Sequence, residues 1–273
     1  MTKNNMHFNE ICEDVCNIAR AAGKFMLDER ENFSTDKIEA KGVNDFVSYV
    51  DKKAEKLIVE QLLPLIPDAG FLTEEKTVGQ SHDTEYTWII DPLDGTTNYI
   101  HGLSPYAVSI GLTENSAPVL GVVYIASGDQ CFYAWKDSKA FMNGNEIKPS
   151  TAESIKNSLA ITGFPYKLGK KIDNYMNLMK YLTFNSHGVR RFGSAAADLA
   201  YVAAGWAEVF YQTDLNPWDV AAGAFIAKQA GAIVCDFTGG DNYLFGQSIL
   251  AAGNENLANQ MIRLLSEYFP EQQ

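Results

Sequence analysis

Positive charge is what this 273-residue chain has least of. Lys and Arg together number 22 against 34 Asp and Glu, a formal net charge of −12. That balance argues against a protein that coats nucleic acid or lies on an anionic membrane. A small anionic substrate stays admissible, because bound cations reverse the sign of a field locally. Long apolar runs are missing too. No stretch approaches the roughly 18 residues of a membrane span. Met1-Thr2-Lys3-Asn4-Asn5 leads into a mixed segment without the apolar centre of a signal peptide, so a cytoplasmic protein is expected. Cysteine is scarce: Cys12, Cys16, Cys131 and Cys235, with no C-x-x-C among them. Their neighbours are apolar or helical, so they read as reduced thiols and argue against a zinc site. Internal repeats and low-complexity tracts are absent. What remains is 46% hydrophobic, enough for a core in one large domain or two modest ones.

The stretch Trp88-Ile89-Ile90-Asp91-Pro92-Leu93-Asp94-Gly95-Thr96-Thr97-Asn98-Tyr99 organises the rest. Trp88 to Ile90 reads as a buried strand that stops at Asp91-Pro92, since proline cannot donate to a sheet ladder. A turn follows at Asp94-Gly95, and Thr96, Thr97 and Asn98 are good helix N-cap types. Two carboxylates are thus delivered to the mouth of a helix. Carboxylates grouped this way suit a hard cation such as Mg²⁺, and a helix N-terminus beside them suits a phosphate. The plain alternative is a loop, because Asp-Pro and Asp-Gly are common turn formers. The other acids along the chain decide between the two.

The spacing of Ile11, Val15, Ile18, Ala22, Phe25 and Met26 predicts a core-packing helix over 8–31. Lys41 to Asp51 reads as a short loop entering a second helix. There Asp51 either caps the first turn or supports a site, and Lys52, Lys53, Glu55 and Lys56 make the polar face. Glu74-Glu75 end a short strand, Phe71-Leu72-Thr73. Adjacent acids repel, which a nearby cation would relieve, and an exposed acidic loop is the alternative. Strands over 106–112, 119–126 and 130–135 form an antiparallel meander, and Asn143-Gly144 marks a hairpin. A change of character at Pro149 to Glu153 divides the chain into parts 1–150 and 151–273. In the second part, 159–162 and 189–192 read as strands and 171–182 as a helix. Gly193-Ser194-Ala195 opens an alanine-rich helix whose small residues admit either a ligand or a closely packed sheet. A strand over 207–212 precedes Asn216-Pro217-Trp218-Asp219, which opens a helix where Asp219 either caps or ligates a metal. An amphipathic helix over 257–269 closes the chain.

Together these pieces resemble the inositol monophosphatase family, within the lithium-sensitive, Mg²⁺-dependent phosphatase superfamily that includes fructose-1,6-bisphosphatase. Trp88 to Asn98 matches its first signature, and Pro217-Trp218-Asp219-Val220-Ala221-Ala222-Gly223 with Ala230-Gly231-Ala232 its second. Glu74-Glu75 matches its acidic pair, and Lys41 to Asp51 its Lys…Asp-x-Val segment. The resemblance implies an α+β protein, a layered αβαβα sandwich, usually a homodimer. It implies two or three Mg²⁺ ions, with Glu74, Asp91 and the Leu93 carbonyl on the first and Asp91, Asp94 and Asp219 on the second. Thr96, hydrogen-bonded toward Asp51, would position and help deprotonate the attacking water, with Glu74 part of the same catalytic group. The Gly95 and Thr96 amides would hold the phosphate. Gly193, Ser194 and Ala195, with Asp94, Gln212 and Asp219, would line the substrate side. Hydrolysis would be in line, without a phosphoenzyme.

Two positions depart from the family pattern. Thr73 stands where a Gly precedes the acidic pair, and Gln212 where inositol-binding members usually carry Glu. Gln is neutral and both donates and accepts hydrogen bonds. The expected substrate is inositol 1-phosphate, and 3'-phosphoadenosine 5'-phosphate, fructose 1,6-bisphosphate and histidinol phosphate are the alternatives. A bisphosphate would want extra basic side chains, yet Arg190-Arg191 and Lys167, Lys170 and Lys171 read as solvated surface. The alternative of another class is an RNA- or protein-binding role with the transcription machinery. No membrane partner is expected, and the net charge argues against nucleic acid.

Overall fold

The structure, a computed structural model, describes residues 7–31, 38–42, 45–81, 83–164 and 171–270, without the side chains of 38–48 and 171. Met1 to Asn5, Val43, Asn44, Lys167 and Lys170, all drawn on above, lie outside the described residues.

The first sheet has seven strands in sequence order: β3 (Gly70–Thr73), β4 (Tyr86–Asp94), β5 (Ala107–Glu114), β6 (Ala117–Ile125), β7 (Gln130–Trp135), β8 (Phe141–Met142) and β9 (Asn145–Glu146). From β4 onward every pairing is antiparallel, the expected meander, while β3 runs parallel to β4. Asn143 and Gly144 join β8 to β9 with φ of 48° and 85°, the paired left-handed geometry of a two-residue hairpin.

Helix α1 (Phe8–Glu31) and α2 (Tyr49–Leu62) cover one face of this sheet, and α5 (Ala195–Ala203) and α6 (Pro217–Ala230) the other. Both faces of β4 are therefore buried. Trp88 and Ile90 join the core beneath α1 and α2, and Ile89 joins the core beneath α5 and α6. That is why the strand reads as a continuous apolar run rather than an alternation.

The second sheet runs β11 (Gly188–Arg190), β10 (Leu159–Thr162), β12 (Val209–Thr213), β14 (Ser248–Ala252), β13 (Ile233–Cys235). β10 is parallel to both β11 and β12, and β14 is antiparallel to its two neighbours. Its inner face meets α5 and α6; its outer face packs on α4 (Lys171–Asn185) and α7 (Glu255–Tyr268). The order of layers is helix, sheet, helix, sheet, helix: the expected αβαβα sandwich.

The structure corrects four local expectations. The segment before Asp51 is a hairpin of β1 (Ile38–Gly42) and β2 (Asp45–Ser48), and α2 already begins at Tyr49. Phe46 and Val47 are strand formers, and a two-stranded ribbon this short leaves little periodicity to see. β4 does not stop at Pro92. Its pairing with β5 slips between Asp91 and Asp94, and Pro92 falls in that irregularity, where no ladder donor is required. The N-cap of α3 (Thr96–His101) is Gly95 at φ 94°, not a Thr or Asn. Glu55 does not belong to a polar face: it is fully buried. The strands β13 and β14 were not anticipated: each is an apolar run too short for periodicity alone to tell strand from helix.

Candidate active site

Glu74 and Asp91 come together because β3 and β4 are parallel and in register, Thr73 beside Ile90. One residue on, the Glu74 N–H donates to the Ile90 carbonyl at 3.1 Å. Glu55 fixes the chain beyond. Its carboxylate accepts from the Glu75 N–H and from both the N–H and Oγ1 of Thr77, each at 2.7 Å.

Asp91 is 2% exposed and accepts from the Leu93 N–H at 2.9 Å. Burial, then the carboxylates of Glu74, Asp94 and Asp219, push its carboxyl well above the ordinary range. Four acids from β3, β4 and α6 are therefore close enough to repel.

Asp219 reaches this group from the far half of the chain. Asp91 pairs with Ser109 on β5, and Ser109 Oγ donates to the Trp218 carbonyl at 3.1 Å. Small residues let α6 settle there: a Cβ on Gly121 of β6 would lie 2.6 Å from the Ala222 carbonyl oxygen. Pro217 opens α6, and Asp219 accepts from the Asn216 N–H at 2.6 Å. Asp219 therefore caps its own helix, and its charge is also felt at Asp91.

Asp94 is bound to the start of α5. Its Oδ2 accepts from Ser194 Oγ and from the Ala196 N–H, both at 2.7 Å. Ser194 in turn caps α5, its Oγ accepting from the Ala197 N–H at 3.3 Å. Burial raises the Asp94 carboxyl to about 6, against the pull of those two hydrogen bonds. Asn98 clamps the same junction, donating to the carbonyls of Pro105 at 2.8 Å and Phe192 at 2.6 Å. Gly95 lies against the Gly193 carbonyl, which would be 3.2 Å from an added Cβ.

Asp51 is wholly buried on α2 and accepts from Thr96 Oγ1 at 2.9 Å, the bond the resemblance implied. The same hydroxyl lies 3.0 Å from the Leu93 carbonyl. One proton faces two acceptors, so the oxygen is oriented whichever takes it.

The whole chain is similar to known proteins. It matches the inositol monophosphatase family over residues 9–269. The chain belongs to that family. It is 40% identical over 247 residues to the Escherichia coli protein named Nus factor SuhB, covering 89% of this chain and 91% of that one. It is 38% identical over 258 residues to the Aquifex aeolicus fructose-1,6-bisphosphatase/inositol-1-monophosphatase, covering 93% and 95%. Its fold superposes on the inositol monophosphatase of Anabaena with a TM-score of 0.83 at 31% identity, covering 95% and 96%. The inositol monophosphatase family is a phosphatase family.

As the side chains stand, no three His, Cys, Asp or Glu among the described residues converge on one ion. Asp94 is turned to Ser194 and Ala196, and Asp219 to Asn216. The donor set still fits a hard divalent cation: every group is an oxygen, and the repulsion on Asp91 is what a cation would relieve. Gln212 lies at the end of β12, 7% exposed, against Gly163, where an added Cβ would be 2.1 Å from its Oε1. Arg190 and Arg191 are exposed, as expected, and the Arg191 guanidinium lies 5.2 Å over the Phe164 ring. Glu55, Asn98 and Ala196 were missed from sequence. Only Glu55 left a signal, four residues after Asp51 on one face of α2.

Proposed function

We propose that this inositol monophosphatase family member is a Mg²⁺-dependent phosphate monoesterase that hydrolyses inositol 1-phosphate. The single observation behind this is the Thr96–Asp51 hydrogen bond beside the group of Glu74, Asp91, Asp94 and Asp219. Two or three Mg²⁺ ions held by those acids and the Leu93 carbonyl would neutralise them, hold the phosphate and acidify a bound water.

The protein's own part is positioning. Asp51, buried on α2, accepts the Thr96 hydroxyl's hydrogen bond and so leaves that oxygen's lone pairs free to accept a hydrogen bond from the attacking water and orient it. Glu74, at the end of β3, would take the proton that this water gives up. In this reading the Gly95 and Thr96 amides would hold the phosphate, and Gly193, Ser194, Ala195 and Gln212 would line the leaving group. Gln212 offers the leaving group an amide that both donates and accepts, a weaker grip on a ring of hydroxyl donors than a carboxylate would give.

The deciding assay is phosphate release from inositol 1-phosphate with Mg²⁺, beside a chelated control and a Li⁺ series. Metal-dependent turnover is expected. Turnover only on adenosine, fructose or histidinol phosphates would keep the chemistry and reject the substrate. Thr96→Val should lower kcat by about 10²-fold or more with KM little changed, and Thr96→Ser should restore most of it.

The relative's name, Nus factor, favours a second reading: a role within transcription assemblies. An Asp91→Asn protein that no longer hydrolyses phosphate and still supports the cellular function would establish it. A homodimer belongs to the same proposal, and light scattering at working concentration tests it.

A further inference from the structure

The second sheet presents two opposite edges at its strand ends. β10, β11 and β12 are parallel, so their C-terminal ends share an edge with Gly163, Gly193 and Gln212. Their N-terminal ends form the opposite edge, roughly 10–13 Å away along three or four residues of strand. A groove of about 760 Å³ opens there, between the turn at Ile155 to Asn157, the end of α4 with Ser186 and His187, and α7. It shares no residue with the catalytic group.

Two properties set this groove apart. Phe184 is 79% exposed on its wall, with Tyr181 one turn back at 36%, and Met176 further along α4 at 48%. Apolar side chains clustered on one helix and left in water mark a surface that something covers. The rim also opposes the charge of the whole protein. In a chain of net charge −12, the groove presents Lys156 and Arg263 against the single acid Glu267. Among the described residues neither Lys156 nor Arg263 is in an ion pair.

We propose that this groove docks an acidic segment of another protein, one carrying an aromatic or aliphatic anchor that lies against Tyr181 and Phe184 while its carboxylates meet Lys156 and Arg263. Complementary charge supplies partner choice, and the apolar anchor supplies the buried centre. A short segment lies within a screening length of these cations and is little affected by acids farther off. Two fixed cations are too few to hold a run of phosphates against the protein's own field, which disfavours nucleic acid. A second copy would set this rim against itself across a two-fold axis, like charge on like.

The test is selection of displayed random dodecapeptides on the full-length protein, with counter-selection on a Lys156→Glu/Arg263→Glu variant and a Phe184→Ser variant. The expected result is enrichment of acidic peptides with an apolar anchor. Their binding, read by fluorescence anisotropy, should weaken about tenfold or more in each variant. Phosphate release should be unchanged in both variants, which separates failure here from failure of the phosphatase reading. Absence of enrichment, or enriched peptides without acidic bias, or equal binding to the variants, would overturn the proposal. Tighter binding of an oligo(U) probe lost in the same variants would give the groove to nucleic acid. A dimer abolished by Phe184→Ser would give it to a second copy. Either outcome rejects the peptide.

Discussion

Asp94 answers to two demands with one carboxylate. It holds the start of α5 through Ser194 and Ala196, and it belongs to the acids that would take a cation. Its carboxyl sits at about 6 rather than 3.8 because burial outweighs those hydrogen bonds. An acid raised in the folded state leaves the fold undisturbed while both states are protonated. Its penalty appears as pH passes the unfolded value and is complete above the folded one. Without divalent ions, the melting temperature should therefore fall between about pH 4 and 7. Asp91, raised in the same direction, adds to the fall. Asp94→Asn should flatten that profile in a pH series of melts, hold or raise the melting temperature at neutral pH, and lose nearly all phosphate release. A variant with parental turnover would take Asp94 off the ligand set.

Helix α6 is the element that decides whether Asp219 reaches the site. Its approach depends on the open face of Gly121, so Gly121→Ala should push the helix away. A loss of about 1–3 kcal/mol is expected by chemical denaturation, and turnover should fall further than stability alone explains. The turn after β13 makes a contrasting case. Burial raises the Asp236 carboxyl, yet the Oγ1 and N–H of Thr238 and the Gly240 N–H, at 2.6, 2.8 and 2.9 Å, help hold it below its usual range. A lowered acid stabilises above its unfolded pKa and loses that contribution as pH falls. Asp236→Asn should thus melt earlier than the parent at pH 7, and the gap should narrow under acid conditions. At this scale the sequence is legible where elements are long and one-sided, as in α1 and α7. It is illegible where geometry overrules composition. Pro92 ends a strand by rule, and here a slipped register carries it through. Asp51 was legible by its place before a helical pattern. The Asn98 clamp was not, because its acceptors at Pro105 and Phe192 are backbone atoms that only the tertiary fold brings near.

Across the whole molecule, the site belongs to neither part of the chain alone. α5 and α6 lie between the two sheets and share one apolar core with both. Mg²⁺ should therefore stabilise both layers together: a single melting transition should move upward with its concentration, as binding to the native state alone requires. Two transitions, only one responding, would assign the cation to one layer. The bond from Ser194 to Asp94 spans 100 residues. On the ribosome, Glu74, Asp91 and Asp94 emerge before α5, which fastens Asp94, and before α6, which carries Asp219. An unfinished chain released before α6 would therefore hold only part of the acid group on which the proposed hydrolysis rests.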